Sequence, residues 1–122
     1  MQHLNKTKEF GRTADQRAAL WRTMLGSLII HEKITTTEAK AKELKKRIDC
    51  VINKAKKSGE KDRKVNIIRD LKRVIPMIAV KKILGEYLVN FSERESGYAR
   101  VIKLNPRKSD GAGMAVVELI GK

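Results

Sequence analysis

Residues 27–47 read SLIIHEKITTTEAKAKELKKR, and this stretch predicts the centre of the fold. An apolar helix end, Leu28 to Ile30, is followed by a short segment of β type, Lys33 to Thr36. Threonine suits both the strand and the start of the next helix, because its branched Cβ favours strands and its hydroxyl caps helices. Thr35 and Glu38 have capping-box spacing, although either of the next two threonines could equally be the cap. The stretch therefore predicts a compact helix–strand–helix unit.

The second helix of this unit, predicted over about Glu38 to Lys57, separates apolar residues from charge. Its apolar residues fall within an arc of about 100° at the helical period. They are Ala41, Leu44, Ile48, Val51, Ile52 and Ala55. Residues 37–59 hold eight lysines and arginines against three acids, and all eight cations lie outside the arc. A solvated face stabilised by pairs such as Glu43–Arg47 does not need this excess of cations.

The whole chain is strongly basic for its size. Its 122 residues suffice for one domain with a real core, and 41% hydrophobic residues argue against general disorder. Lysine and arginine number 28 against 14 acids, which gives a formal net charge of +14. Because self-repulsion of this kind destabilises a compact domain, the charge predicts a polyanionic partner. Nucleic acid is the chief candidate, and an anionic membrane surface is a weaker one.

Cysteine content and hydropathy bear on the compartment. Cys50 is the single cysteine, so no intramolecular disulfide is possible, which fits a reducing environment. The N-terminus lacks the apolar region of a signal peptide. No stretch approaches the roughly 20 apolar residues that a membrane span needs. These features predict a cytoplasmic protein without membrane association.

The remaining elements follow from apolar periodicity and turn residues. A first helix is predicted over about Ala14 to Ile30, with Thr13 and Gln16 at capping-box spacing and Trp21 in the core. Later in the chain we predict helices at Asp62–Val74 and Ile78–Phe91, and strands at Tyr98–Leu104 and Met114–Ile120, joined by a long basic hairpin loop at Asn105–Gly113. The expected fold class is α+β, with about four helices packed on a small three-stranded sheet and an extended basic N-terminal arm.

Two finer predictions concern particular side chains. On the third helix, Val65, Ile68 and Leu71 are predicted to face the core. On the first helix, Gly26 and Ser27 lie off the apolar face. Their small side chains would let RNA or another helix approach closely, and the sequence does not choose between the two.

Catalytic and metal-binding motifs are absent from the sequence. There is no Walker-type P-loop, no GxGxxG after a strand, no CxxC and no HExxH. His3, His31 and Cys50 are too few and too scattered for a zinc site, and His31 beside Glu32 lacks a third catalytic group. We therefore predict no catalytic residue and no metal site. An RNA-processing enzyme that acts through His31 is the weaker alternative.

The mode of nucleic-acid binding is predicted from aromatic content. Only 4% of the residues are aromatic, which argues against a sheet that stacks single-stranded bases. A folded RNA offers closely spaced phosphates to a basic arm and a basic loop, which favours recognition by shape and backbone. The sequence alone leaves DNA open as a partner.

Four stretches, in the same order, resemble one known family. They are GRTADQRAALWRTMLGSL (11–28), SLIIHEKITTTEAKAKELKKRID (27–49), SGYARVIKL (96–104) and SDGAGMAVVEL (109–119). Together they cover nearly the whole chain, which resembles the seventeenth protein of the bacterial large ribosomal subunit. The chain departs from the usual family pattern at Gln2 and Glu9, where the arm is normally more basic. It departs again at Ser96, often glycine in the family, and at Gly113, often proline.

The resemblance implies a non-catalytic protein without a cofactor that binds the ribosomal RNA of the large (50S) subunit near the opening of the exit tunnel. Other large-subunit proteins would be its neighbours, with one copy per ribosome expected. Residues 1–12 are predicted to form the basic arm, and residues 13–122 a single α+β RNA-binding domain. The RNA-binding residues carried over are His3, Lys6, Lys8, Arg12, Arg17, Arg22, Lys40, Arg100, Lys103, Arg107 and Lys108. The alternative is a free-standing DNA- or RNA-binding module outside the ribosome.

Overall fold

The observed elements follow the predicted order. The computed structural model describes residues 8–59 and 61–120, and within these ranges it forms four α-helices and a three-stranded antiparallel sheet. The helices are α1 (Ala14–His31), α2 (Glu38–Lys56), α3 (Lys61–Val74) and α4 (Met77–Leu84), and the strands are β1 (Lys33–Thr37), β2 (Ala99–Lys103) and β3 (Met114–Leu119). Two 3-10 segments, Lys57–Gly59 and Glu86–Phe91, follow α2 and α4. The predicted α+β class is confirmed, and residues 1–7 of the predicted arm lie outside the described ranges.

α2 is the central element, because it contacts all three strands and the other three helices. Its buried residues are the six that the apolar arc predicts, and none of them is more than 4% exposed. Leu28 and Ile29 of α1 and Val117 of β3 are fully buried in the same core. One amphipathic helix therefore holds the sheet and the helices together through its apolar face.

α1 begins as the sequence predicts. The backbone N–H of Gln16 donates to the Thr13 hydroxyl at 3.4 Å, and the Gln16 side chain accepts from the Thr13 N–H at 3.1 Å. This capping box satisfies two of the N–H groups that a helix start leaves without partners. Trp21 is 4% exposed, so its predicted place in the core is also confirmed.

The sheet order is β1–β3–β2, which makes the last strand of the chain the central one. Val117 pairs with Ile34 on one side and with Val101 on the other, in antiparallel register. β2 and β3 form the predicted hairpin, and the N–H of Leu104 donates to the Met114 carbonyl at its base, at 2.9 Å. The sheet therefore joins the helix–strand–helix unit to the far end of the chain.

The N-cap of α2 is not the threonine of the predicted capping box but one of the two alternatives, Thr37. Thr35 lies inside β1, opposite Val116, so the predicted capping box between Thr35 and Glu38 is wrong. The N-cap is Thr37, whose side chain makes no capping hydrogen bond. Instead, the backbone N–H of Glu38 donates to the Gly113 carbonyl at 2.9 Å. The hairpin thus supplies an acceptor for one of the N–H groups at the helix start.

α4 ends earlier than predicted, at Leu84 and not at Phe91. Gly85 has extended backbone angles (φ −86°, ψ −152°), which interrupt the helix before the second 3-10 segment. Glycine favours such a break because ordering it in a helix costs more backbone entropy than ordering other residues. Phe91 is still fully buried, so the apolar face predicted for this region persists through the break.

α3 buries a stripe that overlaps the predicted one only in part, because Leu71 and, less completely, Ile68 pack against the core as predicted but Val65 does not. Val65 is 57% exposed, so its predicted place in the core is wrong, whereas Leu71 is buried as predicted. Ile67 and Ile75 are buried with Leu71, at helical spacings of four residues. The apolar residues around position 67 form two possible helix faces, one that includes Val65 and one that includes Ile67. Packing against α1 and α2 buries the face that includes Ile67.

Gly26 of α1 is buried, which corrects its predicted place off the apolar face. A Cβ at this position would lie 2.6 Å from Cδ and 2.8 Å from Cγ of Pro76. Pro76 is the N-cap residue of α4, so glycine lets the start of α4 pack directly against α1. The close approach that the sequence left open is made here by another helix of the same chain.

Replacing Gly26 with alanine is expected to lower the free energy of unfolding by about 1–3 kcal/mol, because the Pro76 ring must shift. Helix propensity alone would favour alanine by about 1 kcal/mol, so a net loss identifies the clash. Gly59→Ala is the control, since no atom lies within 4 Å of its Cβ position. Urea denaturation of both variants measures the difference. Unchanged or higher stability of Gly26→Ala would show that the Pro76 ring shifts without destabilising the protein.

Candidate nucleic-acid interface

The tip of the β2–β3 hairpin holds two predicted RNA-binding residues, Arg107 and Lys108. Arg107 donates from Nε and Nη2 to the two carboxylate oxygens of Asp110, at 3.0 and 2.8 Å. The same carboxylate accepts the N–H of Ala112 at 3.1 Å, and Gly111 adopts a left-handed conformation with φ of 68°. Two of the five guanidinium N–H groups are thus used within the turn, and the others remain for an external acceptor.

The Arg107–Asp110 pair alters the acidity of both groups. The Arg107 hydrogen bonds, followed by that from the Ala112 N–H, lower the pKa of Asp110 to about 2. The same carboxylate raises the pKa of Arg107 above its usual value. Asp110 therefore stays ionised at neutral pH and remains an acceptor for Arg107.

Asp110 is expected to titrate with a midpoint near pH 2, measured from its side-chain carboxyl chemical shift by NMR. Because the pKa is depressed in the folded turn, the stabilisation from this pair is present above the ordinary value of 3.8 and is lost as the pH falls through about 2. Arg107→Gln should return the midpoint toward 3.8. Lys108→Gln, one residue away, is the control and should leave the midpoint unchanged. A midpoint of 3.8 in the unmodified protein would contradict a closed turn.

Two further predicted cations lie on β2 and pair with acids across the fold. Arg100 is directly opposite Glu118 in the sheet, and its Nε donates to the Glu118 carboxylate at 2.6 Å. Lys103 lies 3.4 Å from Glu38 at the start of α2, and Lys42 lies 3.2 Å from the same carboxylate. Hydrogen bonds from Lys42 and then Lys103 hold the pKa of Glu38 below its usual value. Arg100 and Lys103 are exposed, and each lies beside an acidic side chain from another element.

Two more predicted RNA-binding arginines lie at the N-terminal end of α1, with Arg12 in the turn before the helix and Arg17 in its first turn. Arg12 donates to the Phe10 carbonyl at 2.8 Å, and Arg17 donates to the Arg12 carbonyl at 2.6 Å. Phe10 packs edge-on against Trp21, with 5.5 Å between ring centroids. Within the basic arm predicted over residues 1–12, the N–H of Arg12 donates to the Glu9 carbonyl at 3.1 Å, so residues 9–12 form a hydrogen-bonded turn just before α1. Arg12 and Arg17 therefore bind backbone carbonyls of this turn, in addition to any contact with RNA.

The other predicted cations of the described chain are unpaired. Lys8, Arg22, Lys40 and Lys108 make no hydrogen bond or ion pair with any residue of 8–59 or 61–120. His3 and Lys6 lie outside the described residues. The structure therefore divides the predicted set into cations held by the protein itself and cations with unused donors.

Lys40 lines a groove of about 430 Å³ between α1, β1 and the start of α2. Thr23, Ser27 and His31 line the same groove, one helical turn apart along α1. The Thr23 hydroxyl already donates to the Ala19 carbonyl at 3.0 Å, so the Ser27 hydroxyl and the His31 imidazole are the groups beside Lys40 that can donate to phosphate oxygens. The sequence analysis named Lys40 but not this row of donors, although their spacing of four residues is the signal that would have revealed it.

The acids that orient the cations were also not predicted. Asp110 could have been found from its spacing of three residues from Arg107 within a turn. Glu118 could not, because its pairing with Arg100 is set by the register of the two strands.

Within the described ranges, no group of three or more His, Cys, Asp or Glu side chains is placed to hold a metal ion. None of the helices in this part of the chain combines the length and apolarity required to cross a membrane.

Comparison with known proteins identifies the family. Residues 20–120 match the family described as Ribosomal protein L17. The chain belongs to this family. A relative in Staphylococcus carnosus, named large ribosomal subunit protein bL17, is 39% identical over 119 residues, covering 93% of this chain and 98% of the relative. Proteins of the same name in Staphylococcus epidermidis and Staphylococcus aureus are each 38% identical over 120 residues, with the same coverage.

Membership of the L17 family confirms the resemblance found in the sequence. Ribosomal protein L17 is a structural component of the ribosome, so the prediction that the chain is not an enzyme is also confirmed. The match includes α2, the sheet and the hairpin, and it begins within α1. Arg22, Lys40 and the cations of β2 and the hairpin tip therefore all belong to the part of the chain that matches the family.

Proposed function

We propose that this protein is a structural constituent of the large (50S) ribosomal subunit and binds its ribosomal RNA without catalysis. The observation that carries this proposal is membership of the L17 family, whose curated relatives are named large ribosomal subunit proteins. The net charge of +14 supports the RNA part of the proposal, because such an excess requires a polyanionic partner. The protein would act in the cytoplasm, with one copy in each ribosome.

The eleven predicted RNA-binding residues fall into groups with different roles. Those with unused donors, Lys8, Arg22, Lys40 and Lys108, would contact phosphates directly. Those held by the protein, Arg12, Arg17, Arg100, Lys103 and Arg107, would orient the turn, strand and hairpin on the RNA and add contacts from their remaining N–H groups. His3 and Lys6 would extend this surface. Phosphate contacts of this kind fix position and carry no base sequence, which suits a folded RNA.

The proposed position is near the opening of the exit tunnel, beside other large-subunit proteins. It rests on the family resemblance, and the shape of the protein is compatible with it. The hairpin tip is already closed by the Arg107–Asp110 hydrogen bonds in the free protein, so it would enter a narrow space between RNA segments without first having to form this turn. RNA therefore need not order this loop, and less binding free energy is lost to conformational entropy.

Sucrose-gradient fractionation of a cell lysate at low and high salt tests the proposal. We expect the protein in the 50S and 70S fractions at about one copy per particle, with release at high salt because the contacts are ionic. Mass spectrometry against known large-subunit proteins measures the stoichiometry. Migration with DNA, or free migration at low salt, would contradict the ribosomal assignment and favour a free-standing nucleic-acid-binding module.

A further inference from the structure

A second groove, of about 350 Å³, lies between α1, α2 and α3 and has a different lining from the one beside Lys40. Its floor is aliphatic and aromatic, formed by Ala18, Trp21, Leu25, Val51, Leu71 and Val74. Four cations line it as well: Arg22, Arg47, Lys54 and Arg73. Cys50 is the one uncharged polar side chain in the lining. The groove thus combines an apolar floor with a positively charged rim.

The rim charge is weakly neutralised. Glu43 lies 3.5 Å from Nε of Arg47, and Asp70 lies 4.0 Å from Nζ of Lys54, so both pairs are at the long end of ionic contact. The two remaining arginines of the rim have no hydrogen bond or ion pair with the rest of the described chain. Carboxylates of a partner would therefore find unused guanidinium groups, which bind carboxylates in bidentate geometry.

Further exposed apolar side chains follow shortly after the groove residues in the sequence. Val74, which lines the groove, is 38% exposed at the end of α3. Met77 and Ile78, at the start of α4, are 41% and 69% exposed. Several neighbouring exposed apolar side chains rimmed by charge are typical of a protein interaction site. The apolar surface available to a partner is therefore larger than the groove itself.

A nucleobase is a poor match for this groove. Base recognition relies on open aromatic faces and on hydrogen-bonding groups. The Trp21 ring is already covered by Arg47, 4.6 Å from its centroid, and by the edge of Phe10. A second copy of the chain carries a net charge of +14 and would be repelled by the rim. The chain's own first residues, which include His3 and Lys6, are also basic.

We propose that the groove between α1, α2 and α3 binds an acidic, amphipathic segment of a protein partner. Apolar side chains of the segment would lie on the floor and on the exposed side chains of Val74, Met77 and Ile78, and its carboxylates would pair with the rim arginines. An amphipathic helix in an apolar groove is a common mode of peptide recognition. This inference does not depend on RNA binding, because the groove shares only Arg22 with the proposed RNA surface.

Alkylation of Cys50 by iodoacetamide, followed by mass spectrometry, reports occupancy of the groove, because this exposed residue is the single cysteine. The probe is a synthetic helical peptide with leucine on one face and glutamate on the other. We expect saturable protection of Cys50 by this peptide. A scrambled peptide of the same composition, and one with glutamine for glutamate, should each bind about tenfold more weakly, because one loses the apolar face and the other the charge.

Substitutions at the rim complete the test. Arg73→Glu and Val74→Ser should each weaken peptide binding about tenfold, whereas Lys72→Glu, with the same charge change just outside the groove lining, should change it less than about twofold. All three residues are exposed, and circular dichroism checks that the variants fold. Equal protection by the scrambled peptide would overturn the proposal. So would protection by single-stranded RNA with displacement of the peptide, or protection that rises with protein concentration alone, which would identify RNA or a second copy as the occupant.

Discussion

Replacing Lys8, Lys40 and Lys108 together with glutamine is expected to weaken binding to large-subunit ribosomal RNA by about 100-fold at 0.1 M salt. These lysines have no partner in the described chain, so their charge is available for phosphates. Each lost phosphate contact should reduce the slope of log K against log salt by about 0.7–0.9, so the three together reduce it by about 2–3. Filter binding to the large-subunit RNA over a range of salt concentrations measures both quantities.

The matched control removes the same charge from another face. Lys64, Arg69 and Lys72 are exposed on α3 and are not among the predicted RNA-binding residues. Their triple glutamine variant should keep most of the affinity and nearly the full salt slope. An equal loss of RNA affinity in both variants would mean that binding depends on the net charge of the protein and not on these particular lysines. That result would leave the ribosomal assignment intact but would contradict the division of labour among the cations.

Replacing Tyr98 with alanine is expected to lower the free energy of unfolding by about 3–5 kcal/mol, the usual cost of removing a large buried ring. The side chain is fully buried and packs edge-on against Phe91, with 5.6 Å between ring centroids. Its hydroxyl lies 2.6 Å from the side-chain oxygen of Asn53 and 2.9 Å from the Arg94 carbonyl. The ring thus connects α2, the second 3-10 segment and the start of β2.

Tyr98→Phe distinguishes the contribution of the ring to stability from that of the hydroxyl. Phenylalanine keeps the packing but leaves Asn53 without the Tyr98 hydroxyl, which should cost about 1–3 kcal/mol. Asp49 accepts the backbone N–H groups of Gly97 and Tyr98 at 3.3 and 3.1 Å in both variants, so the loop retains its attachment to α2. Urea denaturation, with the slope checked for two-state behaviour, gives the two values. If Tyr98→Ala lowered the free energy of unfolding by no more than Tyr98→Phe does, packing of the ring would contribute little to stability.

Loss of the Tyr98 ring also bears on RNA binding. β2 begins at Ala99 and carries Arg100 and Lys103, so a loosened start of this strand would misplace both cations. We expect the folded fraction of Tyr98→Ala to bind RNA more weakly than Tyr98→Phe does. The salt slope should change little, because no lysine or arginine is removed.

Much of the fold could be predicted because its signals are local. The apolar arc of α2 is a property of one segment, and all six of its residues are buried. The capping box of Thr13 and Gln16 involves positions three residues apart, and it forms as predicted. The hairpin between β2 and β3 follows from two apolar runs separated by turn residues. Each of these features depends on neighbours in the sequence, so no knowledge of distant contacts is needed.

The candidate interface could be predicted in its charge but not in its arrangement. The sequence marks Arg100 and Lys103 as cations without indicating that Glu118 and Glu38 face them. The donor row beside Lys40 appears only when α1, β1 and α2 are brought together. Ion pairing depends on distances between segments that are remote in sequence, and such distances are decided by packing.

By itself, the sequence determined the class of fold, the amphipathic helix at its centre, the excess of positive charge and the family to which the chain belongs. The tertiary structure decided which phase of α3 is buried, exposing Val65 and covering Ile67. It also brought Pro76 against Gly26, and the Gly113 carbonyl to the start of α2. The physical reason is that periodicity and capping act within a few residues, whereas close packing selects among alternatives of nearly equal local energy.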